Sequence, residues 1–281
     1  MQIARTVAEF RALRASQPGP LGLVPTMGYL HEGHQSLIRA ARAANATVAL
    51  SLFVNPTQFG PNEDFTRYPR DEARDLAICE AEGVDLLLMP SVEEMYPAGA
   101  STTVSVGPLS TVLEGAARPG HFDGVATVVT KLFTITEPDR AYFGQKDAQQ
   151  LMVIRRLTED LRLPVEIVGC PIIREPDGLA MSSRNVYLAP EERTQALALS
   201  RGLRAAVAAW DDGVRDASSL RSRVREEIEA QPLARIDYVS LADQGTLSEL
   251  EGPVMLPALL SLAVRFGATR LIDNVVLEPS S

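Results

Sequence analysis

Leu21-Gly22-Leu23-Val24, then His31-Glu32-Gly33-His34, then a helical pattern from Ser36 to Ala44: this stretch reads as a strand, a tight glycine turn and a helix. Two imidazoles three residues apart share one face of the helix's first turn. There the backbone N–H groups lack intrahelical partners and the helix dipole draws anions, so the turn suits a polyphosphate. An imidazole can donate a hydrogen bond to phosphoryl oxygens, with most effect where charge builds up in a transition state. The same pair also reads as a solvated helix start or a zinc fragment. Zinc is the weaker of these, because a metalloprotease motif sets its imidazoles four apart and adds a third ligand. The remaining histidine, His121, and the two cysteines, Cys79 and Cys170, stand in no metal-ligand spacing.

Outward from that stretch, short apolar runs alternate with longer helical patterns as far as residue 173. This is the texture of a parallel sheet covered by helices. The expected strands are Leu21–Val24, Thr47–Val54, Val84–Met89, Ala141–Phe143 and Val165–Val168. Between them Asp71–Ala81, Gly124–Thr136 and Asp147–Leu161 carry helical periodicity, and Thr102–Val106, alternating Val with polar residues, reads as a small edge strand. In open α/β sheets ligands bind beyond the carboxyl ends of the strands, which is where His34 and Lys146 fall. Near Arg174-Glu175-Pro176-Asp177-Gly178 the alternation stops at a turn signal. The expected division is a Rossmann-like domain at 1–173, with helices on both faces of its sheet, and a smaller α+β C-terminal domain at 174–281. In the latter, Pro190–Trp210 and Ala217–Ala230 read as helices, and Ile236–Leu241, Leu259–Phe266 and Leu271–Leu277 as strands.

Composition narrows the function classes. With 281 residues, 46% hydrophobic and 22% charged, the chain suits a globular protein with a substantial core. No apolar run reaches the roughly 20 residues needed to span a bilayer. Two cysteines in no paired spacing and an N-terminus without a secretory pattern suit the cytoplasm. A net charge of −9, from 27 basic and 36 acidic residues, disfavours a large nucleic-acid surface while leaving room for a local basic site.

Three further segments carry chemistry. Phe53-Val54-Asn55-Pro56-Thr57-Gln58-Phe59 ends an apolar strand with two amides around a proline. Asn55 and Gln58 either cap the loop or bind a hydroxy acid, for which neutral amides offer donors and acceptors. Tyr142-Phe143-Gly144-Gln145-Lys146-Asp147 is again strand, glycine and helix start. Gly144 lets a ligand approach the backbone, and Lys146 either sets a point charge on phosphate oxygens or pairs with Asp147 at the surface. Gly178-Leu179-Ala180-Met181-Ser182-Ser183-Arg184-Asn185 offers hydroxyls and a guanidinium. It reads as a phosphate clamp able to close over a nucleotide, as a phosphorylation site or as a plain helix cap.

The order of these segments, a His-x-x-His turn after the first strand and Met-Ser-Ser-Arg after the last, resembles the nucleotidyltransferase superfamily that includes class I aminoacyl-tRNA synthetases. Within it, Pro25–His34, Phe53–Phe59, Tyr68-Pro69-Arg70, Leu113-Glu114-Gly115, Arg118–Phe122, Phe143–Asp147, Met181–Asn185 and Leu271–Asn274 together resemble the pantothenate synthetase family. The resemblance implies a cytoplasmic homodimeric ligase that condenses pantoate with β-alanine, using ATP and Mg²⁺ and forming a pantoyl-adenylate. By position it implies His31, His34, Lys146 and Arg184 as catalytic groups. It implies ATP contacts from Met27, His34, Gly144, Lys146, Asp147, Ile173, Met181, Ser182, Ser183 and Arg184. Pantoate falls to Gln58, Gln150 and Met27, and β-alanine to Gln58 and Asn55. Tyr68, Glu114 and Arg118 are implied as supporting residues. Mg²⁺ is implied near an acidic pair on the helix after Tyr-Pro-Arg, where Asp75 matches one acid and Arg74 stands at the other position.

Overall fold

Leu21, Leu23 and Val24 are fully buried, as expected of a strand covered on both faces, whose apolar residues run on without alternation. This strand is β2 (Leu21–Thr26), near the centre of a six-stranded sheet. The computed structural model describes residues 1–61 and 63–278, and the chain divides into two compact units, Met1–Pro171 and Ile172–Ser281.

In the first unit the elements run β1 (Gln2–Ala4), α1 (Val7–Arg14), β2, α2 (Glu32–Ala44), β3 (Thr47–Leu52), α3 (Glu72–Ala81), β4 (Leu86–Leu88), α4 (Val92–Met95), α5 (Glu114–Ala117), α6 (His121–Thr136), β5 (Arg140–Gly144), α7 (Ala148–Asp160) and β6 (Glu166–Cys170). The sheet order is β1-β4-β3-β2-β5-β6, and every pairing is parallel. From β2 the chain moves outward through β3 and β4, then returns to lay β5 on the other side of β2. The strand order therefore reverses between β2 and β5, and the crevice beyond their carboxyl ends is the place where such sheets bind ligands. His31 and His34 follow β2, and Lys146 follows β5. One core cluster packs α2 on the sheet through Leu37, Ile38 and Ala41 against Val24, Leu50 and Tyr142.

In the second unit α8 (Pro190–Gln195), α9 (Ala198–Asp211) and α10 (Ala217–Glu229) precede β7 (Ala234–Asp243), β8 (Ala258–Phe266) and β9 (Thr269–Leu277). The three strands form an antiparallel sheet in sequence order. Its core joins Leu203 and Trp210 of α9 and Leu220 and Val224 of α10 to Leu241, Leu260 and Leu262 of the sheet. No helix among the described residues is long and apolar enough to cross a membrane.

Three readings of the sequence need correction. The reading has no element before Leu21, yet β1 and α1 stand there, and Thr6 and Glu9 form a capping box at the start of α1. Thr102–Val106 is not a strand; the Val104 N–H donates to the Thr127 hydroxyl at 2.9 Å instead of to a ladder. The helix read over Pro190–Trp210 is two helices, because the Leu197 and Leu199 amides turn back to Thr194 and Ala196, three residues behind rather than four.

One close contact fixes the loop that follows β3. Gly124 of α6 lies so near the 3-10 turn Pro56–Gln58 that a Cβ there would stand 2.4 Å from the Thr57 carbonyl oxygen and 2.7 Å from the Gln58 nitrogen. Both are backbone atoms and cannot swing aside. Gly124→Ala is expected to lower stability by about 1–3 kcal/mol through overpacking, read as a lower thermal midpoint. An unchanged midpoint would show that the turn is free to shift.

Candidate active site

The turn between β2 and α2 is built by a buried carboxylate. Asp75, in the first turn of α3, accepts the Tyr29 N–H on Oδ2 and the Leu30 N–H on Oδ1, each at 2.7 Å. Gly28 and Tyr29 both take positive φ, 87° and 53°, a conformation that a tyrosine holds only where its surroundings enforce it. Asp75 is 1% exposed. Burial pushes its pKa up, and the two amide hydrogen bonds pull the other way.

His31 then caps α2 with its ring. Its Nδ1 accepts the Gly33 N–H at 3.1 Å, and His34 Nδ1 accepts the His31 N–H at 3.3 Å. The imidazoles thus do the work of the Ser and Glu of an ordinary capping box, and their rings lie 4.1 Å apart between centroids. An Nδ1 that accepts carries no proton, so each neutral ring holds its hydrogen on Nε2. His34 is held neutral by burial first, then by the nearby His31 and Lys146, which together lower its pKa to about 3. The influence of Lys146 on His34 ties the turns after β2 and β5 to one place.

Gly144 ends β5 with φ −75°, and a Cβ there would meet open space. Neither backbone angle nor internal packing demands glycine at this position. Lys146 lies 3.9 Å from Asp147, so the surface pairing read in the sequence exists as a long contact. On α7, Gln149 is buried and its amide is taken up by the Glu114 N–H and the Leu109 and Val112 carbonyls. Gln150, the residue assigned to pantoate, is partly exposed on the adjacent position.

Asn55 and Gln58 are both buried and joined through Asn55 Nδ2 and Gln58 Oε1 at 3.1 Å. Gln58 Nε2 points at Met27 Sδ, 3.3 Å away, which brings together three residues assigned to the small substrates. The Gln58 main chain is held as well. Its carbonyl accepts from His121 Nδ1 at 2.8 Å and from Arg118 at 3.3 Å, and Arg118 grips Glu63 with two 2.6 Å bonds. Burial, followed by the Arg118 charge, lowers the His121 pKa to about 4. Of the supporting residues, Arg118 is thus placed behind Gln58, while Tyr68 is buried with its ring edge-on to Phe59. Sequence reasoning assigned no part to Glu63, Thr57 or Tyr96, all of which reach the Asn55–Gln58 pair or its support.

In the second unit, Ile173 and Met181 face each other across a hairpin, the Met181 N–H donating to the Ile173 carbonyl at 2.9 Å. The Pro176-Asp177-Gly178 signal is its turn, closed by the Gly178 N–H on the Glu175 carbonyl. Ser182 caps the short 3-10 helix Ser183–Tyr187 through the Arg184 N–H, one of the readings open for it. Asn185 ties this segment down, donating to Glu175 at 2.7 Å and to the Ala180 carbonyl at 3.1 Å.

Among the described residues no cage for a resident metal ion is formed. Asp75, the residue matched to Mg²⁺, already has an amide on each oxygen, Arg74 stacks its guanidinium over the Tyr29 ring, and no group of three His, Cys, Asp or Glu side chains among the described residues comes together as a cage.

Comparison with known proteins places the chain in a family. The family described as pantoate-beta-alanine ligase matches residues 2–276. Pantothenate synthetase of Roseiflexus sp. (strain RS-1) is 65% identical over 99% of this chain and 100% of its own length, and that of Moorella thermoacetica is 56% identical over 99% of both. The crystal structure of pantothenate synthetase from Thermus thermophilus superposes with a TM-score of 0.95 at 50% identity, covering 99% of this chain and 100% of that one. A pantoate-beta-alanine ligase from Francisella tularensis, complexed with beta-gamma ATP and beta-alanine, matches at 35% identity and TM-score 0.80 over the full length of both. The chain belongs to the pantoate-beta-alanine ligase family.

Proposed function

We propose that the protein joins pantoate to β-alanine in an ATP-dependent reaction that passes through a pantoyl-adenylate. The observation that carries this reading is that the ligand edge of the first unit offers donors: two imidazole Nε2–H groups, the Lys146 ammonium and the Gln58 amide nitrogen. Such an edge suits two anions that must be brought together, a polyphosphate and a carboxylate. A carboxylate oxygen of pantoate attacks the α-phosphorus, the new O–P bond forms, and the bond to pyrophosphate breaks. His31, His34 and Lys146 oppose the charge that grows on the phosphoryl oxygens. The β-alanine nitrogen then attacks the activated carbonyl, and the acyl C–O bond to AMP breaks. No enzyme nucleophile is needed.

Gly144 lets the nucleotide lie against the backbone, and Met27 packs over pantoate beside Gln58 and Gln150. Asp147, Ile173, Met181, Ser182, Ser183 and Arg184 enter the proposal as nucleotide contacts by resemblance to the family. Mg²⁺ enters as the counter-ion that ATP carries. The reading includes a cytoplasmic homodimer, whose mass sedimentation can check.

Labelled pyrophosphate is expected to exchange into ATP when pantoate is present and β-alanine is not, and omission of pantoate should abolish the exchange. Exchange that needs β-alanine instead, or ADP in place of AMP, would overturn the acyl-adenylate route. His34→Ala and Lys146→Ala should each slow the exchange about 10²- to 10³-fold, the range for losing one preorganised donor, and near-normal turnover in both would remove them from the site.

Imidazole NMR tests the protonation states directly. In the ligand-free protein His34 and His121 should show no titration between pH 5 and pH 8, since their pKa values lie near 3 and 4. His34 should carry its hydrogen on Nε2 and His121 on Nδ1. The sign follows from these depressed values: an unfolded chain takes up the protons near pH 6.5, so stability falls as pH drops from there toward 3–4. A His34 midpoint near 6.5 would contradict the neutral-donor assignment.

A further inference from the structure

Asn55 has no free hydrogen-bonding capacity to give a substrate. It is 1% exposed, and its two N–H groups go to the Gly124 carbonyl and to Gln58 Oε1, each at 3.1 Å. Its Oδ1 accepts from the Tyr96 hydroxyl at 2.8 Å, the Thr57 hydroxyl at 3.0 Å and the Thr57 N–H at 3.4 Å. Which end of this amide is nitrogen is not a matter of choice. A backbone carbonyl can only accept and a backbone N–H can only donate, so Gly124 on one side and Thr57 on the other fix the polarity of Asn55.

That polarity passes to the next amide. Asn55 Nδ2 meets Gln58 as a donor, so the Gln58 atom facing it must be the acceptor Oε1, and Nε2 must face the other way. There it meets the Met27 thioether, a weak acceptor that a substrate oxygen would improve on. We propose that Asn55 is a positioning residue, locked by Tyr96, Thr57 and Gly124, which forces Gln58 to present its NH₂ end to the acid substrate and so selects an acceptor oxygen there. This rests on the reading that Gln58 binds pantoate, and it removes Asn55 from contact with β-alanine.

Tyr96 takes its place in the same lock. Its ring lies between Phe53, with centroids 6.4 Å apart, and the Lys131 ammonium, 5.2 Å from the ring, and its hydroxyl is also within 3.2 Å of Thr57 Oγ1. The hydroxyl thereby supplies the shortest of the three bonds that hold Asn55 Oδ1.

Asn55→Asp tests the lock, because a carboxylate cannot donate to Gln58, which then turns its NH₂ inward and shows Oε1 to the substrate. Gln58→Glu makes the same change at the end of the chain of amides, offering an oxygen where the nitrogen stood. Each single variant is expected to raise the pantoate KM by at least about tenfold, with the ATP and β-alanine KM values within about twofold of the parent. The double variant should be no worse than the worse single one, since both remove the same donor. An additive double variant, an unchanged pantoate KM in Asn55→Asp, or a rise confined to β-alanine would overturn the lock. An unchanged pantoate KM in Gln58→Glu would instead overturn the assignment of Gln58 to pantoate, so the two failures are told apart. Should Asn55→Asp not fold, Tyr96→Phe keeps the ring and removes only the hydroxyl. It should raise the pantoate KM about threefold to tenfold with kcat and the ATP KM nearly unchanged, whereas a lower thermal midpoint with no KM split would reject the positioning role.

Discussion

The ligand edge of the sheet depends on one buried carboxylate. Asp75 reaches from α3 to the chain between β2 and α2 and receives two consecutive amides, those of Tyr29 and Leu30. Hydrogen bonds to an ionised acceptor are stronger than neutral ones, and a carboxylate in the first turn of a helix also gains from the helix dipole. These gains oppose the cost of burying the charge and hold Tyr29 at a positive φ that a side chain otherwise avoids. With that turn fixed, His31 arrives at the N-cap of α2 in extended conformation, and the two rings fall into the capping positions that orient them. A single carboxylate thus sets the backbone, the backbone sets the rings, and the rings set where the donors point.

The sequence was most legible where the physics is local. Buried parallel strands read as unbroken apolar runs, so β2, β3 and β5 stood out. The helix starts after β2 and β5 each carried a glycine beside a cationic or donor side chain. The three-residue β1 lacked such a run, with only Ala4 of its residues buried. The Thr102–Val106 alternation misled because period-two patterning says nothing about whether a partner strand exists. The break between α8 and α9 was hidden because the residues at it and just beyond it pack on one core. Ala196, at the break itself, is as fully buried as Ala198 and Leu199 beyond it.

At the site the division between legible and hidden follows chain separation. His31, His34, Gly144 and Lys146 draw notice in the sequence because each sits in a short motif whose chemistry can be read in place. Asp75 lies 45 residues from Leu30, and Tyr96 lies 41 from Asn55. No periodicity joins positions so distant, and only the fold shows that one anchors the histidine turn while the other supports the buried amide. Asp75 also shows how resemblance and geometry divide the work. Matching by position places an acid there, and the surrounding amides show what that acid does in this chain.

The capping arrangement also disfavours protonation of His34, beyond what burial alone would do. Protonating His34 on Nδ1 would bring a ring N–H against the His31 N–H, and the same step at His31 would confront the Gly33 N–H. Either cation would cost a capping bond, and at His34 it would also carry a desolvation cost and sit beside Lys146. A donor whose direction is already fixed needs no reorganisation when negative charge develops beside it, and that is the condition under which a hydrogen-bond donor lowers a barrier rather than merely binding a ground state.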